Sequence, residues 1–233
     1  MVRTYNLIGA KSRIAKYLYA KLKNKNYKVN KYTHSNKNMF EDFIKNSNNY
    51  NINIYFSIIR DDLNASKEHL EKFLNISKKN NANFFYISSI NAKFPEGSLY
   101  SKIKYECEKI VKENNGTIIR LGLVTSEEPF GPYNSIIKLS NSPINFIFSE
   151  ESKIITTNIN KFLDFDYVHS KKKINEIFSN KYTLNKFMVK IRKNKIKLNI
   201  NLTLFLKIIF FINNFIYIKG TLGRLLTLTC IKD

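Results

Sequence analysis

Tyr100 and Lys104 stand one helical turn apart in Tyr100-Ser101-Lys102-Ile103-Lys104, and the apolar spacing continues through Cys107, Ile110 and Val111. On that stripe Lys104 shares the apolar side, whereas Lys102, Glu106 and Lys109 fall elsewhere around the helix. An ammonium one turn from a phenol can lower the tyrosine pKa from about 10 toward neutrality, which makes the phenol a usable proton donor and acceptor. The competing reading is a lysine that snorkels from the helix start. Ser88 and Ser89 weigh against it: they end the apolar run Phe84-Phe85-Tyr86-Ile87, at the carboxyl edge where open α/β sheets bind ligands.

A second candidate lies in Ile8-Gly9-Ala10-Lys11-Ser12-Arg13-Ile14-Ala15, which joins an apolar strand to a helix. A glycine-rich turn in that context places a pyrophosphate on a helix N-terminus. Here only Gly9 is a glycine; Ser12 stands at the second position and the small Ala15 at the third. Taken alone, the segment also reads as an ordinary strand-to-helix turn.

The elements that must position these residues follow from period. Strands are expected at Arg3–Ile8, Tyr27–Tyr32, Ile52–Ile58, Phe84–Ser88 and Thr117–Leu121, the later ones nearly continuously apolar as in a sheet buried on both faces. Ile14, Tyr17, Leu18 and Leu22 share one helical stripe, and Leu70, Phe73, Leu74 and Ser77 another, on a helix beginning near Asn64. Alternating strands and helices define an α/β chain with a parallel sheet. After Val124, Pro129, Gly131, Pro132 and Pro143 break the pattern. A strand near Lys161–Tyr167, a helix near Lys172–Phe178 and an apolar stretch over Leu202–Ile218 are expected beyond them.

Composition narrows the partners. The 39 Lys and Arg against 18 Asp and Glu give a net charge of +21, but the lysines are scattered and accompany an excess of Asn and Ile, as an AT-rich coding sequence would produce. The expected consequence is a solvated basic surface, hospitable to phosphate-bearing small ligands, with no nucleic-acid partner. At 43% hydrophobic residues the chain is too apolar to be a disordered basic tail. Cys107 and Cys230 are too isolated for a disulfide framework or a zinc site, and His34 has no companion ligands, so no metal is expected. Asp164 and Asp166 adjoin one another without a third catalytic partner, and His169 reads as a capping or partly buried histidine.

Met1 leads directly into the run Tyr5–Ile8 without the charged and apolar segments of a signal peptide. A cytoplasmic, reducing location is the expectation. Leu202–Ile218 carries Lys207, Asn213 and Asn214 and falls short of the roughly 20 apolar residues of a spanning helix. It reads as a helix packed on the domain or at the interface of a homodimer, ahead of a peripheral membrane attachment next to Arg192, Lys193, Lys195 and Lys197.

Taken together, the Gly9 turn, Asn64 opening the helix after a fourth strand, Tyr86-Ile87-Ser88-Ser89, Tyr100-x-x-x-Lys104 and Ile118-Ile119-Arg120-Leu121-Gly122-Leu123-Val124 resemble the extended short-chain dehydrogenase/reductase superfamily. Its NAD-dependent epimerase/dehydratase family of nucleotide-sugar enzymes is the specific likeness. The resemblance implies a Rossmann-like doubly wound parallel sheet over residues 1–124, followed by a small C-terminal substrate-side region over 125–233. It implies Ser89, Tyr100 and Lys104 as catalytic residues: Tyr100 transfers the proton, Ser89 hydrogen-bonds the reacting oxygen, and Lys104 also holds the nicotinamide ribose. The cofactor side would comprise Gly9, Ser12, Arg13, Ile14, Thr33, His34, Phe56, Ser57 and Asn64.

The departures are the missing second and third glycines, Phe56-Ser57-Ile58 where a His-x-Ala-type segment is usual, a short step from Ser89 to Tyr100, and a shortened substrate region. No Asp or Glu stands at the end of the second strand to read a ribose 2′-hydroxyl; Lys31, Thr33, His34, Ser35 and Lys37 do, with Arg13 in the turn. NADP is therefore favoured over NAD. The implied activity is oxidoreduction, epimerisation or dehydration at a carbonyl or hydroxyl, on a nucleotide-linked sugar of surface polysaccharide synthesis. The alternative is a non-catalytic dinucleotide-binding or scaffold protein that retains the fold.

Overall fold

The computed structural model describes residues 3–33, 35–48, 51–57, 61–142, 144–147, 152–170, 172–192 and 198–201. His34, Ile58, Pro143, Lys193, Lys195, Lys197, Cys230 and the stretch Leu202–Ile218 lie outside them. The elements in order are β1 (Thr4–Ile8), α1 (Arg13–Asn24), β2 (Lys28–Tyr32), α2 (Met39–Asn46), β3 (Asn51–Phe56), α3 (Leu63–Lys79), β4 (Asn83–Ser89), two short 3₁₀ turns (Ile90–Lys93 and Pro95–Gly97), α4 (Leu99–Glu113), β5 (Thr117–Leu121) and β6 (Leu123–Thr125). There follow α5 (Gly131–Ser140), β7 (Ile144–Ile147), β8 (Lys153–Asn158), α6 (Ile159–Leu163), β9 (Ile174–Ile177), β10 (Asn180–Thr183), α7 (Leu184–Ile191) and β11 (Leu198–Asn201).

Six strands form one sheet in the order β2-β1-β3-β4-β5-β9, every neighbouring pair parallel. This is the α/β, Rossmann-like architecture that the alternating pattern predicts. The two faces are sorted by residue parity. Phe85 and Ile87 of β4 join Ala15, Leu18 and Leu22 of α1 in one core, and Phe84 and Tyr86 join Phe73 of α3 and Ile103 and Cys107 of α4 in the other. Helices α1, α3 and α4 each run into an asparagine of positive φ, Asn26, Asn81 and Asn115. The next residue's amide then donates five residues back, Tyr27 to Leu22, Ala82 to Ser77 and Gly116 to Val111. Asparagine, abundant in this chain, thus takes the left-handed position that ends helices, usually a glycine's.

Four expectations are corrected. Asn64 follows the third strand, because the polar segment from Thr33 onward forms a turn and α2 rather than another strand; Met39 and Phe43, one turn apart, bury that helix. Residues 161–167 are not a strand: Asn158 caps α6 through the Asn160 amide, and Phe162 is buried from the helix. Residues 172–178 are not a helix but hold β9, since pairing of Ile174–Ile177 with Ile118–Leu121 extends the sheet. The sixth strand of the sheet therefore comes from beyond residue 124. His169 is exposed rather than partly buried, with Nδ1 2.8 Å from Asp166 Oδ2.

Strands β10, β8 and β6 build a smaller sheet in that order, β11 and β7 pair separately, and Ile90, Ile136, Ile154, Leu184, Phe187 and Met188 form a third core. Gly122 joins the smaller sheet to the large one: a Cβ there would lie 2.3 Å from the Ile155 carbonyl oxygen, and its amide donates to Thr157 Oγ1 at 2.8 Å. Among the described residues no helix is long and apolar enough to cross a membrane.

Candidate functional site

Strand order reverses between β1 and β3, and a crevice forms outside the carboxyl ends of the strands at such a switch point. A cleft of about 490 Å³ occupies that place, within the range of small-molecule and cofactor sites. It is lined by Ser12, Arg13 and Ile14 after β1, Phe56 and Ser57 after β3, Ser88 and Ser89 at the end of β4, Tyr100 and Lys104 on α4, and the segment Leu121–Val124. The far wall is Pro129–Pro132 with Asn134. Those prolines and the glycine, read in the sequence only as breaks, line the cleft.

At the α1 end of the cleft, Gly9 has φ +82°, and a Cβ would stand 2.1 Å from the Phe56 carbonyl oxygen. The first glycine is thus required by the approach of β3 as much as by any ligand. Ser12 caps α1, its hydroxyl accepting from the Ala15 amide at 3.2 Å, which gives the residue at the missing-glycine position a structural duty. The first turn of α1 holds no acidic residue, and its leading amides are those a helix leaves without internal partners, so the end facing the cleft favours an anion.

At the α4 end, Ser98 caps the helix through the Ser101 amide at 3.2 Å. The helix buries Ile103, Lys104, Cys107, Ile110 and Val111, the stripe expected from spacing, with Tyr100 half-buried at its mouth. Lys104 does not snorkel. Only 4% exposed, it donates from Nζ to the Ile87 carbonyl oxygen at 2.8 Å, and its Nζ lies 4.7 Å from the Tyr86 ring centroid and 5.8 Å from that of Tyr100. Burial drives the Tyr86 phenol well above its ordinary range, so a neutral ring backs the ammonium. Burial also pushes the Cys107 thiol up, against the opposing pull of Lys104.

Ser12, Arg13, Ile14, Phe56, Ser57, Ser89, Tyr100 and Lys104 are therefore brought together. Thr33 is not: its hydroxyl pairs with Ser35 at 3.1 Å, away from the cleft lining. Asn64 is exposed on α3 and also outside it; the cap of that helix is Asp62, which accepts from the Ala65 amide. The sequence reading missed Asn91, 7% exposed and in the cleft, and the ion pairs beneath it. There Arg120 donates to Glu108 at 2.6 Å and to Glu176 at 3.1 Å, and Lys93 reaches Glu176 at 2.6 Å. Register could not be seen in the sequence, and it is what places Arg120 beside Glu176.

A parallel sheet of this order, with a cleft at its switch point lined by Tyr100 and Lys104, is a Rossmann-like α/β fold. No family profile and no curated protein matches the sequence. Among solved structures, a dTDP-4-dehydrorhamnose reductase from Clostridium acetobutylicum is similar at 15% identity and TM-score 0.63, over 86% of this chain and 84% of that one. The enzyme of the same description from Bacillus anthracis, in complex with NADP, is similar at 15% identity and TM-score 0.63, over 87% and 85%. A nucleoside-diphosphate-sugar epimerase from Staphylococcus aureus reaches TM-score 0.67 at 9% identity, over 98% and 89%.

Proposed function

We propose that the protein is an NAD(P)-dependent oxidoreductase or epimerase of nucleotide-linked sugars, with NADP the favoured cofactor. The observation that carries this reading is the single cleft in which the α1 N-terminus, Ser88–Ser89, Tyr100 and Lys104 all converge. The anion-accepting helix end, the basic Arg13 beside it and the polar floor fit a dinucleotide. Ser12 and Ile14 would hold the pyrophosphate, Arg13 the 2′-phosphate, Phe56 and Ser57 the middle of the cofactor, and Lys104 the ribose next to the nicotinamide. The bound cofactor would supply or accept hydride.

Tyr100 would carry the proton to or from the reacting oxygen. Ser89 would donate a hydrogen bond to that oxygen, since its own Oγ, accepting from the Asn91 amide at 3.3 Å, still has its proton to give. The wall formed by Pro129–Pro132 and Asn134 would receive the sugar. The described neighbours include sugar-nucleotide reductases and epimerases, and a capsular polysaccharide assembling protein from Staphylococcus aureus (14% identity, TM-score 0.56, over 82% of this chain and 57% of that one), which supports a role in surface polysaccharide synthesis.

Titration with NADPH and with NADH, followed by fluorescence, tests the reading. Saturable binding with NADPH the tighter ligand is expected, followed by NADPH consumption or isomerisation with a dTDP- or UDP-linked sugar. Binding without turnover across such a panel supports the scaffold alternative; absence of binding to both dinucleotides refutes both readings.

A further inference from the structure

Ser88 and Ser89 are adjacent in sequence but stand on opposite faces of the sheet. Alternation along β4 puts Ser88 with Phe84 and Tyr86, on the face covered by α3 and α4. Register gives the same answer independently: Ser88 pairs with Arg120 of β5, paired residues of neighbouring strands share a face, and Arg120 reaches Glu108 of α4. Ser88 is therefore on the side of Tyr100 and Lys104. Ser89 belongs by alternation to the other face, where its hydroxyl accepts from the Asn91 amide and starts the 3₁₀ turn Ile90–Lys93, although as the last residue of β4 it still lines the cleft with Tyr100.

The two hydroxyls also differ in what they bond. Ser88 is 4% exposed, and among the described residues its Oγ has no hydrogen-bond partner, although it lines the cleft. A buried hydroxyl left unpaired is unfavourable, and each such group in a folded protein calls for an explanation. The nearby Ile87 carbonyl is already taken by Lys104. A serine hydroxyl can donate once and accept twice, so its best complement is a group that also does both, such as a sugar hydroxyl.

We infer that Ser88 is a ligand-binding residue of the cleft, its hydroxyl hydrogen-bonding a ribose hydroxyl of the dinucleotide on the face shared with Lys104. The inference rests on the proposed dinucleotide site and adds to it a residue whose hydroxyl is reserved for the ligand. An unusual pair of effects follows. Removing a hydroxyl that serves only the bound state leaves the free protein as stable as before, or more so, while weakening the complex.

The test compares the parent with Ser88→Ala and Ser89→Ala by thermal unfolding of the free proteins and by calorimetric titration with NADPH. Ser88→Ala should keep or raise Tm and weaken NADPH about tenfold, the size of one hydrogen bond. Ser89→Ala should instead lower Tm, because the turn loses its cap. Unchanged NADPH affinity in Ser88→Ala overturns the inference and leaves the dinucleotide site standing. A lowered Tm in Ser88→Ala overturns it too, since the hydroxyl then serves the free fold. A parent that binds neither NADPH nor NADH overturns the site itself and the inference with it.

Discussion

Lys104 Nζ is bonded to the Ile87 carbonyl oxygen at 2.8 Å, so helix α4 is pinned to the end of β4 by the same side chain that would hold the cofactor. Tyr100→Phe should abolish turnover, a loss of roughly 10²–10⁴-fold, while leaving NADPH affinity nearly intact, because only the moving proton needs the phenol oxygen. Lys104→Ala should lose both turnover and NADPH affinity, and lower Tm as well. Steady-state rates with calorimetry check the contrast; wild-type turnover in Tyr100→Phe would remove it from the reaction.

Arg13 lies at the first turn of α1 and lines the cleft, whereas Thr33 is turned to Ser35. In the proposed NADP site, recognition of a 2′-phosphate would therefore fall on Arg13 among the described candidates. Arg13→Ala should weaken NADPH about tenfold and NADH much less, since a charge-assisted pair with a phosphate is lost in one case only. Equal weakening of the two would place Arg13 on the shared pyrophosphate instead.

The grouping of residues at the α4 end of the cleft was legible because its signal is redundant. Tyr100 and Lys104 share a helical stripe, Ser88 and Ser89 end an apolar run, and both patterns survive a shift of boundaries by a residue or two. Residues 161–167 and 172–178 are too short for period to decide: Ile174 and Ile177 are spaced as on a helix, yet their pairing with β5 makes them a strand. Polar residues buried inside the sheet were equally opaque. Asn30, Asn6 and Asn53 form a hydrogen-bonded row across β2, β1 and β3, at 2.9 and 2.8 Å, ending on Ser77 of α3. In the sequence they look like compositional drift, and only in-register pairing makes them mutual partners.

Gly9 should not tolerate alanine. Its positive φ is unfavourable for any side chain, and the added Cβ would meet backbone, the Phe56 carbonyl, which cannot swing aside. Strain and overpacking together suggest about 3 kcal/mol, read from urea unfolding of Gly9→Ala. Ala10→Gly, next to it, lacks this clash; a similar loss in both variants would assign the effect to the turn in general.

Glu176 carries the pH dependence that can be assigned a sign. Burial raises its pKa, but Lys93 and Arg120 outweigh burial and hold it below the ordinary glutamate value. A group whose folded pKa is depressed stabilises the fold above its unfolded pKa, about 4.3, and that contribution is lost as pH falls through the folded pKa. The side chain is 33% exposed, so solvent screening limits the effect to about 1 kcal/mol or less. Glu176→Gln should therefore be less stable than the parent at pH 6 by that amount, with the gap closing as pH falls below about 4. Arg120 would keep its partner Glu108 in the variant, so β5 and α4 stay tied while β9 loosens. Chemical unfolding of both proteins between pH 3 and pH 6 measures the gap; a gap that does not change over that range would mean that the Glu176 charge contributes nothing and that its packing alone is being lost.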